Sequence, residues 1–70
     1  MTPGKAAVRY CNDVLGREVT LLGTIRRNGE ALVLVEEHAE RWALLLLWIA
    51  GEWVVVQDSL EPEDFERNDR

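Results

Sequence analysis

From Pro3 to Gly16 the apolar residues Ala7, Tyr10, Cys11, Val14 and Leu15 recur at helical spacing, with Lys5, Arg9 and Asp13 on the other side. An apolar stripe backed by a polar one predicts a short amphipathic helix over residues 3–15. Thr2 followed by Pro3 has the form of an N-cap with proline at the first helical position, and Gly16 is a natural stop. The pattern then changes. Glu18–Arg26 and Ala31–Glu37 are β-rich runs flanking Arg27-Asn28-Gly29-Glu30, and Asn-Gly is a strong hairpin signal through the type I′ turn. A two-residue loop at Asn28-Gly29 sets the register: Arg27 faces Glu30, Ile25 faces Leu32 and Gly23 faces Leu34. Strict alternation then gathers Val19, Leu21, Ile25, Leu32 and Leu34 on one face, and Thr20, Leu22, Thr24, Val33 and Val35 on the other.

The next segment has two readings. Residues 36–50 are rich in helix formers, and Gly51 could cap a helix with His38, Trp42, Leu45, Leu46 and Ile49 along one stripe. The competing reading makes His38–Glu40 a turn, Arg41–Ile49 a strand, Ala50-Gly51 a tight turn and Glu52–Gln57 the last strand. Tryptophan and isoleucine near the strand ends, and Trp53-Val54-Val55-Val56 directly after a turn, favour the sheet. In that register Trp48 lies across from Trp53 in a non-hydrogen-bonded pair. Such an aromatic pair contributes about 0.5–1.5 kcal/mol beyond its area. Trp42, Leu44, Leu46 and Val55 join that face; Ala43, Leu45, Leu47, Ile49, Val54 and Val56 take the other. Both faces are apolar, so both need cover. The helix and first hairpin can cover one, and nothing obvious is left for the second.

After Ser59 the chain turns acidic. Ser59 and Pro62 can start a helical turn, with Leu60 and Phe65 touching the core and the rest a solvated tail. The expected fold is therefore α+β, mostly β: a short N-terminal helix, then a four-stranded antiparallel meander or small partly closed barrel. The alternative, with residues 36–50 helical, has the order αββαβ. Residues 1–60 make one small domain and 61–70 an acidic C-terminal tail. The element order is similar to that of SH3-like and Sm-like barrels, a likeness of architecture with no family motif behind it.

Size and charge sharpen this picture. A 70-residue chain buries only roughly 60% of its unfolded surface. The single cysteine cannot form an internal disulfide, and with the lone histidine it cannot complete a four-ligand zinc site. Association is the remaining source of buried area, and the apolar run Arg41–Val56 supplies the material for it. The net charge of −5 counsels against a general nucleic-acid binder, unless Arg9, Arg17, Arg26, Arg27 and Arg41 share a face. Met-Thr-Pro-Gly-Lys leads into no apolar signal region, and Trp42–Ala50 is too short to span a bilayer. The unpaired cysteine suits a reducing compartment, so a cytoplasmic location is expected.

Candidate chemistry is sparse. Cys11 and His38 are the only nucleophile–base pair available, and an enzyme would need them within hydrogen-bond reach. Glu36, Glu37 and Glu40 could flank His38 as metal ligands, although a solvated charged face is the ordinary meaning of such a cluster. Gly23 reads as a bulge or a point of close backbone approach. Arg26-Arg27 beside the hairpin turn reads as a soluble tip. No catalytic residue, metal or cofactor is expected. The composition points to a non-enzymatic interaction module, such as a regulator, inhibitor or accessory subunit, that meets another protein or a second copy of itself. The expected interface is an exposed sheet face of Trp42, Leu44, Leu46, Trp48, Trp53 and Val55. Glu61, Glu63, Asp64 and Glu66 could form an acidic docking tail. The alternative is a binding module for a small apolar or aromatic ligand in a pocket lined by Tyr10 and the tryptophans.

Overall fold

Helix α1 (Pro3–Tyr10) starts where its cap dictates: the Thr2 hydroxyl accepts from the Lys5 backbone N–H at 3.2 Å, and Pro3 opens the first turn. The computed structural model describes residues 1–68. The helical path continues to Leu15, but Cys11–Leu15 widens into a π-type turn that Gly16 ends in the left-handed conformation, its N–H bonding the Cys11 carbonyl. The wider turn carries Val14 and Leu15 off the apolar stripe expected for them, and both are exposed.

Four strands follow: β1 (Thr20–Arg27), β2 (Glu30–Glu37), β3 (Glu40–Ile49) and β4 (Glu52–Leu60). They form an antiparallel meander in the order β1-β2-β3-β4. The sheet does not close, so β1 and β4 are both edges, and residues 40–49 are strand rather than helix. The first hairpin keeps the expected register, with Arg27 opposite Glu30, Ile25 opposite Leu32 and Gly23 opposite Leu34. Its turn differs from expectation. Only Gly29 of the Asn28-Gly29 pair has positive φ, and its carbonyl accepts from the Trp48 N–H on β3 at 3.0 Å. The paired positive φ of a type I′ turn occurs instead at His38-Ala39 (50° and 65°) and Ala50-Gly51 (52° and 84°).

A left-handed backbone costs a residue with a Cβ roughly 1–2 kcal/mol. Ala39→Gly is therefore expected to stabilise the protein by about 1 kcal/mol. The reading is a higher urea midpoint at unchanged slope.

A second departure lies in β1. Leu21 opposes Val35 while Gly23 opposes Leu34, so Leu22 is one residue too many and the strand bulges. The extra residue restarts the alternation. Val19 and Leu21 move from the expected company of Ile25 to the opposite face, where Val19 joins the cluster under α1. A Cβ added to Gly4 of α1 would lie 2.8 Å from the Leu21 side chain, so the missing Cβ is what lets helix and strand approach this closely.

Two cores result, one on each side of the sheet. On the first, Ala7 of α1 and Cys11 of the widened turn pack on Val33, Val35, Trp42, Leu44 and Leu46. On the second, α2 (Pro62–Asn68) drops Phe65 onto Leu34 and Ala43, with Ile25, Leu32 and Leu60 at the margin. Gly23 makes room for that ring: a Cβ there would meet Phe65 Cζ at 3.0 Å. Part of the acidic segment is thus a docked helix. Glu63 and Glu66 stay exposed on it, as does Glu61 just before it, and positions 69–70 lie outside the described residues.

Candidate functional site

The six residues expected to form an exposed interface divide sharply. Trp42, Leu44 and Leu46 are covered by α1, Leu44 and Leu46 completely, and this corrects their assignment to a free surface. The reason is steric fit: the small side chains Ala7 and Cys11 bring α1 down onto the large residues of β3. Trp48 remains half exposed, and Trp53 and Val55 are partly buried at the margin beyond the helix. Trp48 and Trp53 sit opposite each other as expected, ring centres 5.3 Å apart in an edge-to-face arrangement. The Arg26 guanidinium lies over Trp53, 5.3 Å from its centre.

The open apolar surface is on the other side of the sheet. Leu32, Leu45, Leu47 and Val54 are partly exposed, and Ile49 is 46% exposed. Helix α2 covers the Gly23–Leu34–Ala43 end and leaves this strip, toward the Ala50-Gly51 turn, uncapped. The sequence implies that one of the two apolar faces lacks cover without saying which, and the expected interface falls on the face that α1 covers. The usable signal was the pairing of sizes: Ala7 and Cys11 match the bulky α1-side residues, whereas only Phe65 is available for the α2 side.

Beside α1 runs an open trough of about 500 Å³ whose other wall is edge strand β4. Tyr10, Trp48 and Trp53 meet there, with Arg9, Asp13 and Glu52 on the rim. Trp42 is not part of it. The Tyr10 hydroxyl donates to Asp58 Oδ2 at 2.9 Å and ties the end of α1 to β4. That hydrogen bond to a carboxylate, aided by burial, pushes the Tyr10 pKa above its ordinary value near 10. The neutral phenol that holds the contact therefore persists throughout the neutral range, and the contact is lost only as alkali ionises the ring.

The nucleophile and base are apart in character as well as in sequence. Cys11 is sealed under α1, and burial pushes its thiol pKa up, away from the reactive thiolate. His38 is exposed in the β2–β3 turn. The carboxylates around it are engaged by arginines: Arg17 bonds both Glu37 and Glu40 at 2.6 Å, and Arg41 bonds Glu36 at 2.9 Å. Arg17 also stacks over Trp42, 4.3 Å from the ring centre. Among the described residues no group of three or more His, Cys, Asp or Glu side chains is arranged to hold a metal ion. The arginines do not gather on one face. Arg17 and Arg41 serve the β2–β3 turn, Arg26 covers Trp53, and Arg27 donates to the Asn68 carbonyl of α2 at 3.0 Å.

Comparison with family models, curated proteins and solved structures finds no match to this chain, so its geometry alone carries the reading. Among the described residues no helix is long and apolar enough to cross a membrane.

Proposed function

We propose that this chain is a non-enzymatic protein-interaction module that works by association through the open half of the α2-side sheet face, first of all with a second copy of itself. One observation carries the reading: Leu45, Leu47, Ile49 and Val54 make an apolar strip on the α2-side face beyond the Phe65 cluster, with Leu32 at the margin between the two. Contiguous apolar surface of this kind marks association sites in small proteins. The molecule is a slab of 33 × 30 × 16 Å, so the open half of its broad side is smaller than the roughly 800 Å² per partner of a standard interface and suits a weak, micromolar association. A two-fold arrangement sets strip against strip and leaves each α2 beside its partner's β3–β4 turn.

Light scattering on the full chain tests this. The expected mass is twice the 8.0 kDa of one chain. Ile49→Lys places a charge on an already exposed position and is expected to return the mass to one chain without unfolding it. A wild-type protein that stays monomeric at about 100 μM, far above the Kd of a micromolar dimer, overturns the reading.

A further inference from the structure

Helix α2 is lightly tied to the molecule it covers. It has seven residues, too few to hold a helix in water without tertiary support, and Phe65 is its one buried residue. Among the described residues its polar side chains bond within the helix: Arg67 donates to Asp64 Oδ1 at 2.8 Å, and Asn68 Nδ2 to the Asp64 carbonyl at 2.7 Å. The polar link to the sheet is one exposed hydrogen bond, from Arg27 Nη2 to the Asn68 carbonyl at 3.0 Å. Glu61 alone joins α2 to β4, whose last residue, Leu60, pairs with Ala43. An element with so few ties opens at the low end of the free-energy scale for local unfolding.

The ground beneath α2 continues the open strip. The cross-strand pair Leu32–Leu45 lies next to the pair Leu34–Ala43 on the same face, so the strip runs under the helix without a break. Area separates the two states of this face. Its open half falls short of the roughly 800 Å² per partner of a standard interface, whereas the whole broad side, 33 × 30 Å, is of that size. Charge fits a second copy as well. By strand parity Arg27 and Glu30 stand at one corner of the face, and Glu36 and Arg41 at another. An apolar centre within a polar rim is the anatomy of an interface. A rim of both signs lets like copies meet where a rim of one sign repels.

We propose that α2 is an autoinhibitory cap on self-association. Seated, it confines a second copy to the open strip and keeps the dimer weak. Lifted, it frees Leu34 and Ala43, and a second copy takes the whole face. The inference rests on the self-association reading of this face and adds what regulates it. Phe65 is the clasp, its ring held in the notch that Gly23 leaves, where a Cβ would stand 3.0 Å from Cζ. A second copy binds the lifted form more tightly, so rising concentration draws α2 off, and whatever unseats α2 tightens the dimer. Both copies must lift, so the lifted fraction enters the apparent affinity twice.

Phe65 is the only phenylalanine of the chain, so 4-fluorophenylalanine reports on this ring alone. Fluorine NMR and light scattering on the full wild-type chain are followed together from about 10 μM to about 1 mM. The signal of the released ring is expected to grow as the dimer forms. Glu66→Pro breaks α2 at an exposed position and leaves the strands untouched. It is expected to dimerise at least about tenfold more tightly than the wild type, whereas Glu66→Ala keeps the helix and the wild-type affinity. Unchanged affinity in a folded Glu66→Pro protein, or a wild-type dimer whose ring stays seated, overturns the cap. Either result leaves the strip dimer standing, because that contact needs no movement of α2. A wild type that is monomeric at about 100 μM beside a dimeric Glu66→Pro protein overturns the strip contact instead and upholds the cap. Monomers in both overturn both.

Discussion

Phe65→Ala is expected to remove about 3–4 kcal/mol of stability, the cost of deleting a buried aromatic ring that its surroundings cannot refill. A domain of this size has roughly 0.05–0.15 kcal/mol per residue to lose, so the change takes a third or more of the total. Phe65 is 7% exposed and is the one buried residue of α2. A seven-residue helix does not persist in water by itself, so losing the ring releases the whole element. Leu34 and Ala43 are then uncovered, and the open strip extends over the full face. Urea denaturation reads the loss of stability, and far-UV dichroism reads the loss of helix. Light scattering should show stronger association, because more apolar area is offered. Gly23→Ala tests the same contact from below, since its added methyl meets the ring at 3.0 Å. A loss under about 1 kcal/mol for Phe65→Ala would mean that α2 is not held by its ring.

The second large effect is an alternation along four identical residues. Leu44→Ala and Leu46→Ala are each expected to cost about 3–4 kcal/mol, because both side chains are completely enclosed between β3 and α1. Leu45→Ala and Leu47→Ala remove side chains that are only partly covered, and about 1–2 kcal/mol is expected for each. Urea midpoints across the four variants check the pattern. Equal losses at all four positions, or a pattern with helical period, would contradict a two-sided strand. The smaller pair carries a further signature. Where dimerisation covers the α2-side face, the cost at Leu45 and Leu47 rises with protein concentration, whereas the cost at Leu44 and Leu46 does not.

How much of this was legible in the residues depends on the range of the interaction. Hairpin registers were readable because a two-residue loop leaves no freedom: Ile25 meets Leu32 and Trp48 meets Trp53, whatever the turn type. The long apolar run Trp42–Ile49 gave no period to distinguish helix from strand, and only neighbouring strand signals favoured the sheet. The bulge at Leu22 was hidden, because Leu21-Leu22 is apolar in either phase and the partner that Leu21 meets, Gly4 of α1, is distant in sequence. The widened turn at Cys11–Leu15 was hidden for a related reason: its sequence keeps helical spacing, yet the backbone does not. Most consequential was the choice of face. Both sides of β3 are greasy, and which one α1 takes follows from small side chains meeting large ones at a distance, which no local pattern records. Gly23 was flagged as either a bulge or a close approach, and both descriptions hold, with the bulge beside it and Phe65 above it.

That one surplus residue in β1 also makes the first strand a stitch passing through the fabric. Its early half, Leu21 with Val19 just before it, is sewn to the layer beneath α1, and its later half, Gly23 and Ile25, to the layer beneath α2. The strand thus ties the two layers to each other through one continuous stretch of backbone.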